Sequence, residues 1–153
     1  MPTMESIARE EIWSLQGLYQ EYLDNLDEQY RHLYGTSPEQ MLSYIHQLSV
    51  EGRAIVLRLM EDGVPIGFLV GRLQKDVHTA KPIVVVTNLH VAPAFKGKGY
   101  GGWLVRVATQ VGKNVGAVNV LLSLKGFGSE NMQNSLREVG YYPIETVWTC
   151  PLE

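Results

Sequence analysis

A single cysteine, Cys150, stands in the 153 residues of this chain. One thiol cannot build a disulfide framework, so the fold must rest on its core, and the usage suits a reducing compartment. No supporting motif surrounds Cys150, which reads as inert rather than as a nucleophile. No apolar run is long enough to span a bilayer and no secretory leader is recognisable, so a cytoplasmic chain without a membrane partner is expected. Basic residues are also few. With 13 Lys and Arg against 16 Asp and Glu the formal charge is −3, the wrong sign for a non-specific nucleic-acid surface. Repeats, linkers and low-complexity tracts are absent. At 45% apolar and 19% charged residues, the composition is that of one globular domain over 1–153 that can bury its own core.

The charge that is present is unevenly placed. Residues 1–50 hold Glu5, Glu10, Glu11, Glu21, Asp24, Asp27, Glu28 and Glu39 against Arg9 and Arg31, a net −6, so the remainder carries +3. Two readings stand. The acids form a solvated helix face, or they attract a cationic ligand beside an anionic one held by the basic part.

Periodicity divides the chain into a helical start and a strand-rich remainder. Leu15, Leu18, Tyr19, Tyr22, Leu23, Leu26, Tyr30 and Leu33 recur at helical spacing, predicting one long helix over about 5–34 or two broken near Gly17. No strand is evident ahead of it. Ser37-Pro38-Glu39-Gln40 starts a further helix, with a serine cap, proline in the first turn and Met41, Leu42, Ile45 and Leu48 as its buried face. Two strands flank Asp62-Gly63, a hairpin turn pair. The β-branched run in 82–91 predicts a buried strand, followed by a helix to about Val115 and a strand over 118–125. Gly126-Phe127-Gly128-Ser129 leads into a helix that Gly140 ends, and alternation at Ile144, Thr146 and Trp148 predicts a last strand over 142–149. This order is that of a mixed α/β fold, a partly antiparallel central sheet with helices on both faces.

The chemistry concentrates where the central strand runs into its helix, Leu89-His90-Val91-Ala92-Pro93-Ala94-Phe95-Lys96-Gly97-Lys98-Gly99-Tyr100-Gly101-Gly102-Trp103. Glycines permit a tight turn and close ligand approach. The first helical amides lack intrahelical acceptors, the helix dipole adds positive charge, and Lys96 and Lys98 add more. That makes an anion site, with phosphate its natural occupant. A P-loop would need Ser or Thr after a Gly-Lys pair, where this chain has Gly101-Gly102-Trp103. Gly97, Gly99 and Gly102 satisfy the dinucleotide pattern literally, but Asn119 and Val120 stand where its acidic residue belongs.

Lys96-Gly97-Lys98-Gly99-Tyr100-Gly101 resembles the acetyl-CoA-binding motif of the GNAT superfamily of N-acetyltransferases, Arg/Gln-x-x-Gly-x-Gly/Ala, with Lys96 in place of Arg or Gln. The resemblance covers about residues 54–148 and implies a GNAT-like fold, with residues 1–50 as the helical substrate side. It implies an acetyl-CoA-dependent N-acetyltransferase acting on an amine acceptor, with no metal. A homodimer, common in the family, is the assembly it allows. By the same resemblance, main-chain amides of Gly97, Gly99, Gly101 and Gly102 hold the pyrophosphate, helped by those of Lys98 and Tyr100 and by the positive charge of Lys96. Those near Leu89 and Val91 hold the thioester, and Ser129 or Asn131 contacts the pantetheine arm.

Two departures bear on catalysis. Many relatives carry a glutamate in the central strand, whereas Val84-Val85-Val86-Thr87-Asn88 holds no carboxylate. His90, the strand's one titratable group, is then the candidate base or else a packed histidine on the face opposite Leu89 and Val91. The family's pattern ahead of its last helix's Gly-Phe ends in a tyrosine acid, and Leu136 stands there. Tyr141 or Tyr142 is the candidate substitute, or else a core aromatic. A GNAT-fold CoA-binding or regulatory protein working through a partner is the alternative these departures motivate.

Overall fold

The computed structural model describes residues 1–35, 37–124 and 129–152. Strand β1, Thr3–Ser6, precedes a 3-10 turn over Arg9–Leu15 and three helices, α1 (Gln16–Asp24), α2 (Glu28–Tyr34) and α3 (Pro38–Val50). Strands β2 (Ala54–Glu61), β3 (Val64–Lys75) and β4 (Pro82–Val91) follow, then α4 (Tyr100–Asn114), β5 (Val120–Leu122) and α5 (Glu130–Val139). The sheet order is β1-β2-β3-β4-β5, antiparallel except for the parallel β4–β5 pair. This is the mixed α/β architecture expected from the sequence.

Two cores sandwich the sheet. On the front face, Ile12, Leu15, Tyr19, Tyr22, Leu42 and Ile45 pack on Val56, Phe68 and Val70. On the back face, Leu104, Val105, Ala108 and Leu136 pack on Leu57, Leu69, Val84 and Val86. Apolar stripes at helical spacing on α1, α3 and α4 meet β-branched strand residues, and burial of that surface drives the assembly.

The predicted hairpin forms as expected. Asp62 and Gly63 both take positive φ, 50° and 77°, the left-handed pair of a type I′ turn whose twist matches its strands. Proline opens α3, but the Ser37 hydroxyl bonds Glu39 Oε2 at 2.7 Å instead of capping the helix.

Four expectations are corrected. The chain begins with a strand, β1, whose four residues are too few to show alternation; its ladder with β2 makes it a strand. The N-terminal helix breaks at Asn25–Asp27, with Gly17 inside α1. There the Asn25 amide donates to the Glu21 carbonyl at 2.8 Å, the local competition that makes Asn a helix-ending residue. Third, β5 spans only Val120–Leu122 of the predicted 118–125, Lys125 and the Gly126–Gly128 loop lying outside the described residues. Finally, no strand forms over 142–149. Ile144, Val147 and Trp148 are exposed, Trp148 at 89%, because alternation supplies a face but not a ladder partner.

Candidate active site

The site begins with an irregularity in β4. Asn88 pairs with Val70 and Val86 with Gly71, so Thr87 is an extra residue, a β-bulge. A bulge shifts the side-chain alternation by one. Val84 and Val86 face the back core before it; afterwards Leu89 and Val91 take the back and His90 turns to the front, against Tyr22 and Phe68.

The same strand loses its partner on one side. The β4–β5 ladder covers only Val84–Val86 against Val120–Leu122, while β4 runs on to Val91. Ala92 N–H donates to the Ile66 carbonyl at 2.8 Å. Since antiparallel bonds alternate, His90 and Asn88 turn their main-chain groups toward β3, while Leu89 and Val91 turn theirs away from it. Among the described residues no strand pairs with that edge. It is a short row of main-chain donors and acceptors facing an opening in the sheet.

Directly after this edge the chain makes the glycine loop. Gly97 and Gly99 have φ of 80° and 83°, and a side chain at either would meet nothing within 4 Å. The glycines are there for backbone conformation and leave open space in front of the loop. Gly99 is the N-cap of α4 and no side chain caps that end, so the first amides of a 15-residue helix are presented to whatever occupies the space. Lys96 and Lys98 are exposed beside them, with Lys98 Nζ 5.3 Å from the centre of the Phe95 ring. Gly102 has a different reason: a Cβ there would lie 3.0 Å from Ser135 Cβ and Oγ, so its absence lets α5 cross α4 closely.

The other predicted residues fall in two places. His90 is 7% exposed, and its Nε2 lies 2.9 Å from Glu21 Oε1 on α1. A carboxylate only accepts, so Nε2 carries the proton and donates it. Tyr141 packs against the back core. Thr109 Oγ1 donates to the Val105 carbonyl at 2.7 Å, so the Tyr141 hydroxyl donates to Thr109 at 2.8 Å. Burial raises the Tyr141 pKa, partly offset by the Thr109 hydroxyl. The structure therefore ties its phenol to the middle of α4 and does not bring it to the loop. Ser129 caps α5, its Oγ accepting from Met132 N–H at 3.1 Å, and Asn131 is exposed on the first turn.

Sequence reasoning missed the polar groups around His90. Asn88 is 2% exposed, and its Oδ1 accepts from Thr87 Oγ1 at 2.9 Å. Its Nδ2 is buried with no hydrogen-bond partner. Burial pushes the Tyr19 phenol up to about 12 and raises Tyr22 further, and the Asn88 amide dipole partly offsets both. An unsatisfied buried amide costs roughly 1–3 kcal/mol. Asn88→Leu removes this orphaned donor but also the acceptor of the Thr87 hydroxyl, so the two costs are expected to offset to within about 1 kcal/mol, read from the urea midpoint at constant m-value. A loss well beyond that would mean that the amide has a partner in solution.

Similarity to known proteins agrees with this geometry. The Acetyltransferase (GNAT) family model matches residues 15–140, and the chain belongs to that family. No curated protein sequence matches it. A ribosomal-protein-alanine N-acetyltransferase from Brucella melitensis biovar Abortus 2308 superposes with a TM-score of 0.74 at 13% identity, covering 100% of both chains. The structure of AAC(6')-Iy with the bisubstrate analogue CoA-S-monomethyl-acetylneamine superposes at 0.73 with 17% identity, covering 100% of this chain and 99% of that one. An acetyltransferase from Trypanosoma brucei gives 0.73 at 14%, covering 99% and 100%. At these identities the likeness establishes the GNAT fold. Among the described residues, no cluster of His, Cys, Asp or Glu is arranged to hold a metal, and no helix is long and apolar enough to cross a membrane.

Proposed function

We propose that this GNAT-family chain is an N-acetyltransferase that moves an acetyl group from acetyl-CoA to a primary amine. The observation that carries the reading is the continuity of the unladdered β4 edge with the left-handed glycine loop and the open N-terminus of α4. Acetyl-CoA supplies an activated acetyl thioester and an anionic pyrophosphate. Amides of Gly97 to Gly101 and the charges of Lys96 and Lys98 suit the pyrophosphate. Main-chain groups of Leu89 and Val91 suit the thioester end, where an N–H aimed at the carbonyl oxygen stabilises the charge that develops there. The acceptor side is the helical region 1–50, where the acids other than Glu5 and Glu11, which pair with Arg58, still outnumber the bases, and this favours a cationic amine. Such an amine has a pKa near 10.4 and must lose a proton before or as it attacks. His90 is the base we assign.

A second reading, a CoA-binding or regulatory protein acting through a partner, draws on Leu136 and Tyr141. The first is buried in the back core and the second is bonded to Thr109, so neither offers a phenol to the leaving sulfur. A free thiol's pKa of about 8.5 makes thiolate a tolerable leaving group without that help.

Thermal-shift titration with acetyl-CoA, CoA, ATP and NADH, followed by an assay for thiol release with amines, decides between them. Acetyl-CoA at a hundred times its dissociation constant is expected to stabilise the fold by about 2.7 kcal/mol, roughly 5–10 °C for a chain of this size. Stabilisation without turnover would favour the second reading. Stabilisation by ATP or NADH alone would sink both.

A further inference from the structure

The alternating run after α5 is a part of the chain that the proposed activity leaves unused. Every residue from Tyr142 to Cys150 is exposed, with Tyr142 at 78%, Ile144 at 65%, Val147 at 77% and Trp148 at 89%. We propose that residues 142–148 form a strand on the β5 edge of a second copy of this chain, exchanged about a two-fold axis. The pairing goes beyond the acetyl transfer proposed above and does not depend on it.

β5 is the last strand of the sheet, and among the described residues no strand pairs beyond it. Val84 N–H donates to the Asn119 carbonyl at 3.0 Å. Main-chain groups alternate in direction along a strand, so Leu121 faces β4 while Val120 and Leu122 turn theirs outward. The Asn119 side chain takes the Val120 N–H at 2.9 Å, which leaves the Val120 carbonyl and both Leu122 groups at the rim. The β5 side chains are all part-buried, whereas β2 and β3 each bury a continuous run. Val118, just ahead of β5, is 57% exposed. No charged residue stands between Asn114 and Leu124, so this edge lacks the charges that commonly keep sheet edges apart.

The tail carries the complementary pattern. In an extended strand, Tyr142, Ile144, Thr146 and Trp148 share one side, and Pro143, Glu145 and Val147 share the other. Pro143 stands at the start, where a strand tolerates the loss of an N–H. Glu145 is the one charge between Val139 and Leu152. The root of the tail is fixed, because Tyr141 N–H donates to the Leu136 carbonyl at 2.9 Å and its hydroxyl is bonded to Thr109. From that firm point the tail leaves the back core, and within its own molecule it joins no described strand.

A second copy answers both features at once. Each molecule holds a sheet edge without a strand and a strand pattern without a ladder, and a two-fold axis pairs them twice. Main-chain bonds along the β5 rim supply attraction, and the alternate side chains of the tail supply register. The area is sufficient. Aromatic side chains bury about 150–250 Å² each, so Tyr142 and Trp148 of two tails hide roughly 600–1,000 Å². The surfaces beneath them lose about as much again, which reaches the roughly 1,200–2,000 Å² of a stable interface.

Sedimentation of the full chain at micromolar concentrations reads the assembly, and a species of twice the 17.2 kDa chain mass is expected. In that dimer the amides of Ile144, Val147 and Trp148 should be protected from hydrogen exchange and lose the protection on dilution. Trp148→Glu, in the tail, is expected to raise the dimer dissociation constant about a hundredfold or more. Val118→Glu with Ser123→Glu, two exposed positions bracketing β5, should do the same from the other side of the contact. All the substituted side chains are exposed, so both variants should stay folded by circular dichroism. Mixing the tail variant with the edge variant should recover a heterodimer, since one of the two exchanged contacts is intact. A monomer at every concentration overturns the proposal, whether its tail amides are protected on their own β5 or exchange freely. A dimer that survives either variant places the contact elsewhere and overturns it as well.

Discussion

Gly99→Glu is expected to raise the dissociation constant for acetyl-CoA more than a hundredfold while leaving the protein folded. Two effects on the fold partly offset each other. A side chain at φ 83° carries the left-handed penalty, about 1–2 kcal/mol for an ordinary residue. A carboxylate at a helix N-terminus recovers about 0.3–1 kcal/mol through the dipole. Nothing lies within 4 Å of the new Cβ, so no clash is added. Binding is hit from both directions at once, since the carboxylate fills the space before the α4 amides and repels the pyrophosphate. A hundredfold loss is about 2.7 kcal/mol. Gly99→Asn separates the causes, because asparagine tolerates the left-handed region and is neutral; it should keep affinity within about tenfold. Isothermal titration of the three proteins reads the result. Wild-type affinity in Gly99→Glu would remove the loop from the cofactor site.

Phe68→Ala is expected to cost about 3–5 kcal/mol, the largest single loss of stability we anticipate. The ring is 1% exposed at the centre of the front core, 5.9 Å from Tyr19, 6.0 Å from Tyr22 and 6.0 Å from His90. Truncation removes the transfer energy of the ring, leaves a cavity between sheet and α1, and ends aromatic contacts that add about 0.5–1.5 kcal/mol each. At roughly 2–4 °C per kcal/mol the melting temperature should drop by about 10 °C. Phe68→Leu, which fills most of the volume, should lose far less. A drop under 2 °C in Phe68→Ala would mean that α1 is not docked on this strand.

The central unit was the most legible part of the chain because its instructions are local. The β-branched run gives β4, glycines and lysines give the loop, and the apolar period after Tyr100 gives α4. The Asp62-Gly63 turn is equally local, since two residues fix it. What stayed hidden depends on distant partners. The four residues of β1 become a strand only beside β2, and the alternating tail at 142–149 finds no ladder. The bulge at Thr87 leaves no mark in a run of Val-Val-Val-Thr-Asn, yet it decides which way His90 points. Glu21 looked like one more acid on a helix. Only the packing of α1 across β3 and β4 gives it a histidine.

β1 also has a consequence for the order in which the molecule assembles. Glu5 and Arg58, joined at 3.1 Å, are 53 positions apart, and α1, α2 and α3 all lie within the loop that this pairing closes. The β2–β3 hairpin closes across two residues on a timescale of microseconds, whereas a loop of this length carries an entropic cost that grows with the logarithm of its size. The sheet platform can therefore form first, and the helical flap that carries Glu21 settles on it last. By the same logic the flap is the first unit to lift in native-state fluctuations, so amides of α1 should exchange with solvent before those of β3 and β4. The histidine is built into the sheet, and its carboxylate rides on the helical layer packed over it.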